Sequence, residues 1–160
     1  MTDLPRRVML ALTLAAMTAF GSAGALQADE LKDPEIYADF EGKALKGYDT
    51  VAYHTERRAV KGSPEFAVEW KGAKWFFASA ENRDLFTADP ERWAPQFGGY
   101  CAWAIAKDRT APINPEIFRI VDDKLYLNLN MKVHKEWLGK RSQFIAAANE
   151  KWPEVLVLSR

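Results

Sequence analysis

One cysteine, Cys101, is all the chain contains in 160 residues. With no second thiol, an intramolecular disulfide, a CxxC redox pair and a multi-thiolate zinc site are all excluded. Histidine is nearly as scarce, with only His54 and His134, and no H-E-x-x-H motif is present. Net charge is missing as well, since 22 Lys+Arg balance 22 Asp+Glu. The basic residues are scattered among acidic ones, which argues against nucleic acid or an anionic membrane as a partner. No phosphate loop, Ser-His-Asp order or catalytic carboxylate pair occurs, and Ser79, in F-A-S-A-E, lacks the glycines of a nucleophile elbow. No enzyme class follows from these residues.

Long apolar runs are absent except at the start. Arg6 and Arg7 precede the uncharged stretch Val8 to Phe20, and Gly21 to Ala25 are all small. A charged start, a short apolar middle and a small-residue exit form the pattern of a secretory signal peptide. The apolar core falls short of the ~20 residues that span a bilayer. Residues 1–28 are therefore expected to be an export signal, cut after Ala25 or Ala28, which places the mature protein in the periplasm or outside the cell. Its removal takes away Arg6, Arg7 and Asp3 and leaves 20 basic against 21 acidic residues. No later stretch is apolar enough to span a membrane.

The remaining chain, about 130 residues, has the size of a single compact domain. Its six Trp, from Trp70 to Trp152, predict a core rich in aromatics. Residues 29–46 are a polar lead-in, expected to dock loosely, and residues 47–156 form the domain proper. Thr50 to His54 reads as a short β-prone run after the Gly47-Tyr48-Asp49 turn. Phe66 to Trp70 and Lys74 to Ala78 flank Lys71-Gly72 as a hairpin. Ser79 caps a helix, with Glu81 near its N-terminus, and Pro90 opens a second short helical turn. Ile117 to Val121 and Leu125 to Leu129 form a second hairpin around Asp122-Asp123-Lys124. From Met131 to about Trp152 the pattern is one long C-terminal helix. The expectation is an α+β domain of small β-hairpins packed with short helices and that long helix.

The segments GYDTVAYH (Gly47 to His54), VEWKGAKWFFASAENRDLFTADPERWAPQFGGYCAWAIA (Val68 to Ala106) and VDDKLYLNLN (Val121 to Asn130) resemble the exported YHS-domain proteins of bacteria. Shorter YHS modules accompany metal-transporting ATPases and some hydroxylases. A metal role is inferred there from a Cys after D-P-V and others in F-C-S-x-x-C. Here those places read Asp49-Thr50-Val51-Ala52 and Phe77-Ala78-Ser79-Ala80-Glu81-Asn82, with every thiol replaced.

The candidate site is therefore Gly98-Gly99-Tyr100-Cys101, where two glycines permit a tight turn or close approach to a ligand. Cys101 is a candidate soft-metal ligand or reactive thiolate, with His54 or His134 as assisting groups; the competing expectation is a small buried residue among aromatics. A thiol with one or two His suits copper or zinc. His54 is expected on the short strand at the surface or packed against it, and His134 on a solvated helix face. Asp49, Tyr53 and Asn82 are candidates to line a pocket near Cys101, although a turn-capping role is the simpler expectation for Asp49 and a first-turn position for Asn82. Three functions are consistent with this. They are an accessory domain binding a metal, a small ligand or a periplasmic protein around Cys101, a thiol-based redox protein, and a non-catalytic interaction domain.

Overall fold

Within residues 33–158, which a computed structural model describes, the first α-helix is decided by one carboxylate. Asp49 accepts hydrogen bonds from the Val51 and Ala52 backbone N–H groups at 2.8 and 3.2 Å, and α1 (Thr50–Thr55) starts there. The β-prone composition of Thr50 to His54 is overridden by this N-cap. The expected strand is a helix. The expected export signal, residues 1–28, and the beginning of the lead-in lie outside the described residues.

The two expected hairpins are present. Strands β1 (Ser63–Trp70) and β2 (Ala73–Phe77) pair antiparallel, with Trp70 opposite Ala73 across Lys71-Gly72. Ser79 accepts from the Asn82 N–H to cap α2 (Ala80–Ala88), and Asp89 caps α3 (Pro90–Trp93), which has Pro at its start. After a 3₁₀ turn over Gln96–Gly99 comes the short helix α4 (Ala102–Ile105). Strands β3 (Asn114–Val121) and β4 (Lys124–Asn128) form the second antiparallel hairpin, turning on Asp122-Asp123. Both hairpin loops are two residues long with φ positive at each, at 48° and 75° for Lys71-Gly72 and 50° and 56° for Asp122-Asp123. This is the type I′ geometry whose twist matches that of the strands.

The expected long C-terminal helix is two. Helix α5 (Met131–Gly139) and helix α6 (Arg141–Lys151) are separated at Lys140, whose φ of −132° and ψ of 33° are not helical. Gly139 ends the first, as a residue that gains least from helical backbone. A last turn, α7 (Val155–Leu158), follows. No helix among the described residues is long and apolar enough to cross a membrane.

Residues 125–128 of β4 are buried without interruption, so elements cover both its faces. Alternation then divides the core in two. Leu125 and Leu127 join Val51, Tyr53, Trp75, Phe77 and Phe86, while Tyr126 joins Phe97, Tyr100, Ile105, Trp137 and Phe144. Cys101 forms a parallel bridge with Leu127, which sets the Gly-Gly-Tyr-Cys segment against this dividing strand.

The lead-in is not loosely docked. From residue 33 onward it is part of the fold: Ile36 is buried, the Tyr37 N–H donates to the Gly98 carbonyl at 2.9 Å and the Asp33 N–H to the Leu156 carbonyl at 2.9 Å.

Candidate functional site

Three successive residues, Phe97, Gly98 and Gly99, have positive φ of 56°, 58° and 84°. The turn brings Gly98 beneath the lead-in so closely that a Cβ there would lie 1.8 Å from the Glu35 carbonyl oxygen. Only glycine fits this contact. The Tyr100 hydroxyl reaches back to donate to the Pro34 carbonyl at 2.8 Å, and burial, then the charge of Asp33, pushes its pKa upward.

Cys101 is 1% exposed. Its N–H donates to the Ala111 carbonyl, and its own carbonyl accepts from Ala104 and Ile105 as α4 begins. The sulfur faces the Asn128 side-chain amide, with Nδ2 at 3.8 Å, and Asn128 Oδ1 lies 2.7 Å from His134 Nδ1. If Asn128 Oδ1 accepts a proton-bearing Nδ1, the amide must present its NH₂ to the sulfur. His134 is 8% exposed, not on a solvated helix face as expected. It stacks on Trp137, and burial followed by the charge of Arg119 lowers its pKa, which favours the neutral ring. Sequence reasoning named His134 as an assisting group for the thiol but missed its burial and Asn128, which stands between the two. The available signal was that His134 and Trp137 are three apart, on one helix face.

The other candidates bond to other partners. Asp49 is fully buried, and its second oxygen accepts from the Ala78 N–H at 2.8 Å and Asn82 Nδ2 at 2.7 Å, so this carboxylate ties α1 to the β2–α2 connection. Tyr53 donates its hydroxyl to the Pro115 carbonyl at 2.9 Å. No hydrogen bond among the described residues joins Asp49, Tyr53 or Asn82 to Cys101; instead Asp49 and Asn82 bind each other. His54 sits on α1, edge-on to Trp93, in the wall of a cavity of about 250 Å³ completed by Thr55, Arg92, Trp93 and Asp123. Burial and then Arg57 lower its pKa. Cys101 is not part of that wall, so His54 and Cys101 do not make a common metal site. Among the described residues no group of three or more His, Cys, Asp or Glu is arranged to hold a metal. Among the described residues the donors therefore do not form a three-ligand copper or zinc site.

A second cavity, of about 220 Å³, opens directly beside the glycine turn. Trp70, Phe97, Gly98 and Trp152 line it together with Glu35, Lys71 and Glu91. Lys71 Nζ donates to Glu35 Oε1 at 2.7 Å, pairs with Glu91 Oε1 at 2.9 Å and lies 4.7 Å from the centroid of the Trp70 ring. The hydrogen bond to Glu35 is the main influence raising the lysine's pKa, against a smaller opposing effect of burial. Sequence reasoning did not find this cleft, because its walls come from separated stretches of chain. Of the residues singled out from sequence, Gly98 alone lines it.

The family model of the YHS domain matches residues 51–97, from α1 to the first residue of the glycine turn with positive φ. No curated protein and no solved structure matches the chain.

Proposed function

Because the chain contains a YHS domain, we propose that it acts as an exported accessory domain that binds a small ligand in the cleft beside Gly98. One observation carries this reading: the glycine turn opens a cavity of about 220 Å³ with three aromatic walls and three convergent charged side chains. Concave sites where a few polar groups converge are where small molecules bind, this lining is more polar than apolar, and drug-sized ligands take ~300–1,000 Å³. A smaller cavity calls for a smaller ligand. The apolar stretch ahead of Gly21-Ser22-Ala23 supports export.

The test is a titration of ¹⁵N-labelled protein, residues 29–160, with small fragments of positive, negative and zero charge. Saturable shifts of the Trp70 and Trp152 indole resonances are expected for at least one class. Absence of any saturable shift at these two side chains overturns the reading.

A second reading, thiol chemistry at Cys101, draws on the Cys101–Asn128–His134 contacts. An amide N–H directed at sulfur stabilises a thiolate or a sulfenate oxygen better than a thiol. The burial of the sulfur ranks this reading below the first.

A further inference from the structure

We infer that the ligand of this cleft is a small organic cation, an amine or quaternary ammonium, and that Lys71 is a tethered occupant of its binding position. The inference rests on the cleft being the ligand site and adds the chemistry of what enters it. The protein's own ammonium displays that chemistry. Lys71 Nζ sits between two carboxylates, Glu35 and Glu91, and over the face of Trp70, while Phe97 and Trp152 supply further aromatic wall. Carboxylates beside an indole face are the surroundings that select organic cations over neutral or anionic molecules of equal size. With Lys71 counted, the three charges sum to −1; with its ammonium displaced, the cleft offers −2.

Two features show that Lys71 is displaceable. Both ion pairs are at the surface, with the Glu35 and Glu91 side chains 52% and 71% exposed, and pairs of this kind hold only weakly. The lysine also occupies the first position of a type I′ turn at φ 48°, where asparagine or glycine is favoured. The other hairpin fills the same position with Asp122, a residue type that tolerates this backbone far better. The turn therefore gains nothing from lysine as such. What the lysine adds is a cation on a flexible stem, reaching the cleft from its rim.

The experiment compares wild type, Lys71→Asn and the double variant Glu35→Gln/Glu91→Gln. Lys71→Asn creates the Asn-Gly pair that type I′ turns prefer, so the hairpin is retained while the tethered cation is lost. Probes are choline, n-butylammonium, the neutral choline isostere 3,3-dimethylbutanol and propionate, each titrated while the Trp70 and Trp152 indole resonances are followed. Expected is saturable binding of choline or n-butylammonium, strengthened roughly tenfold in Lys71→Asn and lost in the Gln double variant, as removal of a competing cation–π and ion-pair contact predicts. Equal binding of the neutral isostere, or no gain in Lys71→Asn, overturns the cation inference and leaves the cleft standing as a ligand site. Absence of binding by every probe in all three proteins overturns both.

Discussion

Replacement of Asp49 by alanine is the sharpest test of how this fold is held. The carboxylate is wholly buried and accepts four hydrogen bonds, from Val51 N, Ala52 N, Ala78 N and Asn82 Nδ2. Loss of the helix cap alone costs about 1 kcal/mol. The bonds from Ala78 and Asn82 each contribute roughly 1.5–3 kcal/mol, as is usual for a charged acceptor, and their part-buried donors would be left to water. Water entering the vacated space returns part of this, so the net loss is about 3–5 kcal/mol, a large share of the ~5–15 kcal/mol that domains possess. Thermal unfolding followed by circular dichroism should show Tm falling by about 10–20 °C. Asp49→Asn keeps the size but turns an NH₂ toward existing donors, so it should lose nearly as much. Asn82→Ala removes a single donor and leaves the other three bonds, with a loss of roughly 1.5–2 kcal/mol, the low end of one such bond. A loss below about 1 kcal/mol for Asp49→Ala, or Asn82→Ala costing as much, would refute the account of Asp49 as a four-way tie.

Gly98→Ala should destabilise by about 2–4 kcal/mol, because its Cβ meets the Glu35 carbonyl and its φ is left-handed. Gly72→Ala, with open space around it, should lose only about 1 kcal/mol from backbone strain alone, and chemical denaturation of the pair separates the two effects. His54 and His134 both have pKa values lowered by burial from the ordinary 6.5, so the unfolded chain takes up protons first as pH falls. Their contribution to stability is complete above pH 6.5 and declines below it, and urea midpoints for His134→Gln should fall less steeply on acidification than those of wild type. Cys101 should resist iodoacetamide in the native protein and react at the rate of global opening, as mass spectrometry over a denaturant series would show; rapid native labelling would instead favour thiol chemistry.

The hairpins were legible because the Lys71-Gly72 and Asp122-Asp123 turns are local chemistry flanked by strand-forming residues. Thr50 to His54 was misread for the opposite reason. Its β-branched and aromatic residues favour a strand, and the deciding interaction comes from the side chain of Asp49, outside the run. At the C-terminal helices a continuous apolar pattern hid a break at Lys140, which alters backbone direction without altering periodicity. The burial of His134 was readable in principle, since it shares a face with Trp137. The cleft was beyond reach of sequence: Glu35, Lys71, Glu91, Phe97 and Trp152 meet only once the lead-in has docked and the first hairpin, α3 and α6 are in place.

The bond between the Asp33 N–H and the Leu156 carbonyl has a topological consequence. It places the two ends of the described chain side by side, so the domain is closed into a ring in all but covalent connectivity. A short linker joining them, with new termini opened at the exposed Arg57-Arg58, would give a circular permutant with the same set of contacts, the cleft included. In the natural order of the chain, whatever is attached ahead of residue 33 joins the domain two residues from Glu35. Any tether at that end therefore begins at the rim of the cleft that Glu35 lines.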